Sequence, residues 1–120
     1  EGGGGGRVSA VHVPALVRLV GATDLDLAHN ALRGTEGLHL LRGLASLTLD
    51  ANPLRSLWGL VGLTSLRSLS LQHCTLSAPS VLLPLELLLE LRTLNLQGNS
   101  LPPEAVTALQ AKLPRCTILV

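Results

Sequence analysis

One short frame recurs along this chain and leaves few folds open to it. Residues 66–76 read Leu-Arg-Ser-Leu-Ser-Leu-Gln-His-Cys-Thr-Leu, an L-x-x-L-x-L-x-x-C-x-L spacing that returns at 44–54 and 91–101 with Asn in place of Cys. Residues 22–32 carry it a fourth time, with Ala for the first Leu. Self-similarity of this kind marks a stack of like units, each burying its apolar face only against its neighbours. Within the frame the L-x-L leucines alternate with polar residues, the period of a strand with one face buried. Strands are therefore predicted at 24–28, 46–50, 68–72 and 93–97, with a fifth at 117–120. Corresponding positions lie 22 residues apart (25 to 47, 47 to 69), then 25 (69 to 94), then 24 (94 to 118). Segments this long can join parallel neighbours by a short return over the outside. The expected architecture is α/β: a curved, right-handed solenoid with a parallel sheet on its concave face and short helical turns on its convex face.

The returns carry a second period. Leu54, Leu57, Leu60, Leu63 and Leu66 are spaced by three, and Leu32, Thr35, Leu38, Leu41 and Leu44 run the same way. Three residues per turn suits 3₁₀-like structure better than an α-helix. The third return, Ser77 to Glu90, is three residues longer; its Pro79 and Pro84 each suit a helix start, and neither suits a helix interior. After Leu101, Pro102-Pro103-Glu104 should open a true helix with Ala105, Val106, Leu109 and Leu113 on one face, stopped by Pro114. Composition agrees with a stack. The chain is 47% hydrophobic with one Trp, no Phe, Tyr or Met, and 32 leucines. One residue type can fill a core only where the same slot repeats.

The ends and the bulk properties narrow the class. Residues 1–7 read as a glycine-rich linker, followed by a single domain at 8–120 of about four full repeats and partial end rungs. Residues 8–22 read as a worn first rung. A phosphate-cradling loop would need Lys and Ser or Thr after its glycines, whereas Arg7 and Val8 follow here. With no initiator Met and no signal-peptide pattern, the sequence reads as cut from something longer. A net charge of +1 is too balanced for a dedicated nucleic-acid or anionic-membrane surface, and no apolar run approaches the ~20 residues of a membrane span. Cys74 and Cys116 make no disulfide framework, and no Asn begins an N-x-S/T acceptor. Both observations favour a reducing, cytoplasmic setting.

Candidate functional residues fall into three groups. Asn30, Asn52, Cys74 and Asn99 occupy the same frame position, where the chain leaves each strand. An inward amide there can satisfy main-chain groups that have lost their sheet partners, so these four read as a structural ladder. The outward strand positions, Asp24, Asp26, Ser46, Thr48, Asp50, Ser68, Ser70, Gln72, Thr93, Asn95 and Gln97 among them, make a small-polar concave face without aromatic or Arg anchors. The third group is on the outside. Arg33 and Arg55 share a frame position after the strand, Trp58 stands where the previous repeat has Glu36 and should be exposed, and the apolar stretch Val81–Leu91 cannot turn every side chain inward. Trp58, Leu85, Leu88, Arg33 and Arg55 are the candidate partner-binding residues. His29 and His73 are two rungs apart, roughly 10 Å at ~4.8 Å per rung, too far for one ion. No catalytic, cofactor, metal or small-molecule site is expected, and the partner is expected to be a protein.

These four frames resemble the leucine-rich repeat superfamily, nearest its 22-residue class, typified by the nuclear regulatory subunit of protein phosphatase one. LDLAHNALR (25–33), two regular rungs, a lengthened third, LNLQGNSL (94–101), an acidic helix and a terminal LP…ILV further resemble the C-terminal leucine-rich repeat domains of Rab geranylgeranyltransferase alpha subunits. That resemblance implies an accessory interaction surface in a prenylation enzyme whose zinc and transfer chemistry lie in another subunit. The alternatives are a free-standing regulatory adaptor that grips an enzyme, such as a phosphatase, through its concave face, and an architectural spacer.

Overall fold

A computed structural model describes residues 21–120; the glycine-rich linker expected at 1–7 and all but the end of the worn first rung lie outside them. Five short strands, β1 (Asp24–Asp26), β2 (Ser46–Thr48), β3 (Ser68–Ser70), β4 (Thr93–Asn95) and β5 (Thr117–Leu119), form one parallel sheet in sequential order. The register follows the frame. Leu25, Leu47, Leu69, Leu94 and Ile118 are successive partners, so like positions stack on like.

The strands are three residues long where the alternation predicted five, or four for the last. Parallel hydrogen bonding nevertheless runs past their ends, from the Leu27 amide to the Thr48 carbonyl (2.8 Å), from Leu49 to Ser70 (2.9 Å) and from Leu71 to Asn95 (2.8 Å). What ends the strands is a change of hand. The residue before each ladder position has a left-handed backbone: His29 (φ 59°), Ala51 (59°), His73 (53°) and Gly98 (78°). L-residues enter that region at a cost of about 1–2 kcal/mol, so three rungs hold the turn against a local preference and only the fourth uses glycine.

The first two returns are successions of single 3₁₀ turns. Leu60 N–H donates to the Leu57 carbonyl, Leu63 to Leu60 and Leu66 to Leu63, all at 3.0–3.1 Å, and Leu38, Leu41 and Leu44 repeat the pattern one rung earlier. Bonding every third residue keeps one line of side chains facing the sheet, and those lines are buried. Thr35 stands in its line fully buried; its hydroxyl accepts from the Gly59 amide at 3.0 Å.

The third return differs from expectation at Pro84, which lies inside a continuous nine-residue 3₁₀ segment, Pro79–Leu87, rather than opening a new helix. Such runs seldom exceed three or four residues. Here three-residue turns carry Leu82, Leu85 and Leu88 into the core line, and the Pro84 ring is itself buried. The α-helix α1 (Pro103–Lys112) starts at its proline as expected, buries Leu109, and is followed by buried Leu113. It packs against the third return, closing that side of the core.

Candidate functional site

Two amides of the ladder, Asn52 and Asn99, each bind two rungs. Asn52, fully buried, accepts the Asn30 and Leu32 amides on Oδ1, both at 2.9 Å, and donates from Nδ2 to the Leu27 (2.9 Å) and Leu49 (2.8 Å) carbonyls. Asn99 repeats this two rungs on. Its Oδ1 takes the Cys74 and Leu76 amides, and its Nδ2 donates to Leu71 and Leu96. Asn30 donates to the Leu27 and Ala28 carbonyls. Cys74 is fully buried, and its thiol donates to the Leu49 carbonyl at 3.2 Å. Burial pushes that thiol up to about 11, against main-chain donors that pull the other way. Cys116, also buried, is raised by the same cause, opposed by the nearby Arg92 charge. A protonated buried thiol is a poor nucleophile.

The concave face bonds largely to itself. Asp50 Oδ1 accepts from the Ser70 hydroxyl (2.6 Å) and the Gln72 amide (2.8 Å), and its Oδ2 accepts from Gln72 Nε2 (3.3 Å). Asp26 accepts the Ala28 amide, and Asn95 accepts that of Gln97. Sequence reasoning placed these groups on one surface but missed that Asp50 knits β2 to β3; the two-residue offset of Ser70 and Gln72 opposite an Asp is the signal that carries it.

The outer edge is different. Trp58 is 58% exposed, at the position where the sequence put it, and Arg33 and Arg55 are both exposed; among the described residues neither has a carboxylate within ion-pair distance, and the one ion pair is Arg92 with Glu90, at 3.7 Å. Leu85 and Leu88 require correction as surface candidates. At 0% and 2% exposure they belong to the core line of the third return, because counting by threes from Leu76 to Leu91 passes through both. The exposed apolar residues of that return are Leu83 (48%), Leu87 (56%) and Leu89 (70%). Leu83 holds Trp58's frame position, one past an inward leucine, and Leu89 falls one past Leu88.

A groove of about 510 Å³ separates the second return from the third. One wall is Pro53 to Trp58; the other is Thr75 to Ala78 with Ser80 and Val81. Its origin is the three-residue insertion. The core lines of the two returns align at Leu54 with Leu76 and at Leu57 with Leu82, so the extra turn falls within 77–81, and Pro79, next in the count of three after Leu76, is exposed instead of buried. The groove is the space left beside that outward turn.

Among the described residues, no group of three or more His, Cys, Asp and Glu is placed to hold a metal ion, and no helix is long and apolar enough to cross a membrane.

No family model matches the chain, and no curated protein matches its sequence. Solved structures do match. A Leptospira interrogans leucine-rich repeat protein superposes with a TM-score of 0.79 at 24% identity over 96% of this chain and 29% of its own. Internalin C2 from Listeria monocytogenes does so at 0.78 and 28% identity, over 95% of this chain and 47% of its own. The chain thus spans less than half the length of either, and its fold is that of a leucine-rich repeat solenoid.

Proposed function

We propose, from a leucine-rich repeat solenoid whose spare apolar surface lies on the outside of the curve, that this domain is a non-catalytic docking module. Trp58 and the third return seat it on a neighbouring domain or subunit of a larger intracellular complex. The fold supports a protein-binding role in general. The observation that carries the finer reading is the exposure of Trp58, Leu83, Leu87 and Leu89 on the two returns that flank the groove. Apolar area removed from water contributes ~25 cal/mol per Å², whereas hydroxyls, amides and carboxylates already bonded to one another gain little on being covered. Two free buried cysteines are in keeping with a reducing compartment. A prenyltransferase alpha subunit is one setting consistent with the order of sequence words, with the transfer chemistry supplied elsewhere in the assembly.

The test is association in the full-length protein or complex. Trp58→Ala and Leu87→Asp should each weaken it, and the concave double change Ser70→Ala with Asn95→Ala should leave it unchanged. A silent Trp58→Ala together with a disabling concave pair would transfer the function to the sheet face and make the domain an adaptor.

A further inference from the structure

The groove between the second and third returns carries features that a plain apolar patch lacks. Its first wall sets a guanidinium, Arg55, three residues from the only indole in the chain, Trp58. Arg33 holds the same frame position one rung earlier, and the Arg55 amide donates to the Arg33 carbonyl at 2.8 Å, so the two cationic side chains leave adjacent rungs. Neither has a carboxylate of the described residues within ion-pair distance. No acidic side chain lines the groove. Glu36, the acidic residue at Trp58's frame position one rung back, lays its carboxylate over Gly34 instead. The opposite wall is small: Ser77, Ala78 and Ser80, with half-buried Val81 at its inner end. The cleft is open, with one cation, Arg55, on its first wall and the Trp58 indole on the same wall.

We propose that this groove binds an extended acidic segment of the partner, with one large aliphatic side chain packed against Trp58 and Val81 and an adjacent carboxylate on Arg55. The assignment rests on the docking reading above and names the chemistry of what docks. Arg55 supplies charge-assisted hydrogen bonds to the carboxylate in planar geometry. Trp58 supplies flat apolar area with little rotamer freedom to lose, as binding anchors commonly do. The low wall of Ser and Ala leaves room for a backbone to pass. The insertion thus has a use beyond length: it opens the slot that Trp58 overlooks.

Trp58, being the sole tryptophan, reports on its own site. The full chain is titrated with three short synthetic peptides: one leucine flanked by glutamates, the same leucine flanked by lysines, and an alanine flanked by glutamates. Only the first should shift Trp58 emission to the blue with saturation, and its affinity should fall as salt rises. Arg55→Glu should weaken it by at least about tenfold and admit the lysine peptide in its place. Ala78→Leu, which fills the groove while keeping Arg55 and Trp58, should abolish binding. Equal responses to the three peptides, indifference to Arg55→Glu, or a silent Ala78→Leu would each overturn the assignment. If Trp58→Ala weakens association in the complex while no acidic peptide binds, docking on the outer edge stands and the acidic segment falls. A concave pair that abolishes association, with Trp58→Ala silent, removes both.

Discussion

A thiol stands at position 74 where three other rungs place an amide, and the ladder geometry says what an amide would gain there. Asn52 and Asn99 each accept two main-chain N–H groups of the preceding rung. Moved to position 74, the same oxygen would meet the Asn52 amide, for which sulfur is a weak acceptor, and would compete for the Leu54 amide that now donates to the Asn52 carbonyl at 2.8 Å. Cys74→Asn should therefore be stabilising by about 1 kcal/mol, read as a higher urea midpoint at unchanged slope. A clear loss of stability would show that the slot does not admit an amide. The thiol also sets a pH dependence. It is held up to about 11 in the folded chain against an ordinary 9.0, so both states keep the proton below pH 9. Between 9 and 11 the unfolded chain loses its proton first, and stability should fall with rising pH by about 2–3 kcal/mol. In Cys74→Asn that component should vanish, leaving a fall in the same direction from Cys116, whose thiol burial also raises. At neutral pH a thiol reagent should label Cys74 only on unfolding. Gly59 is constrained in another way: a Cβ there would run into the Thr35 carbonyl of the rung before. Gly59→Ala should cost about 1–3 kcal/mol, and a neutral result would mean that the two returns are not in contact at Thr35.

The third return shows why its insertion has three residues. A 3₁₀ turn takes three, so one added turn leaves every later leucine in phase. Deleting 78–80 restores Leu76-x-x-Leu82, the spacing of Leu54-x-x-Leu57, and should yield a cooperatively folding domain without its groove. Deleting only 79 and 80 should turn Leu82, Leu85 and Leu88 out of the core line and abolish cooperative unfolding; equal behaviour of the two variants would refute the phase argument. The same phase marks how far the sequence could be read. Strand order, register, ladder and the exposure of Trp58 were legible because each is decided by position in one repeated frame. Leu85 and Leu88 lie inside, against the expectation from the sequence, because the crowd of apolar residues at 81–91 hides the phase that decides which of them are buried. Counting by threes from Leu76 would have put both inside and left Leu83 and Leu89 out. The groove was beyond reach of counting. Pro79 is in phase with the core line and is nevertheless expelled from it, an outcome settled by how the extra turn packs against the second return.

At the scale of the molecule, strands in sequential order touch only the rungs before and after them, so stability is a sum of neighbour interfaces and depends on the ends. Removing 103–120 takes away α1 and β5 and leaves the fourth rung uncovered, with Leu94 and Leu96 next to the new edge. That chain should aggregate or lose its cooperative transition in calorimetry, and a soluble two-state truncation would count against the stack as described. The ladder adds a direction to this dependence. Asn52 supports the turn of the rung before its own, and Asn99 does so for the turn at Cys74, 25 residues earlier. A ribosome delivers the chain in the other order, each turn leaving the tunnel ahead of the side chain that secures it. At roughly 5–20 residues per second the interval from Cys74 to Asn99 lasts about 1–5 s. Nascent chains halted with residue 78 outside the tunnel and residue 99 still within it should be cut by a protease pulse within 72–78, and chains extended until 99 has emerged should resist; equal cleavage would break the connection. During synthesis a turn that a later Asn secures stays unfinished until that residue has been translated.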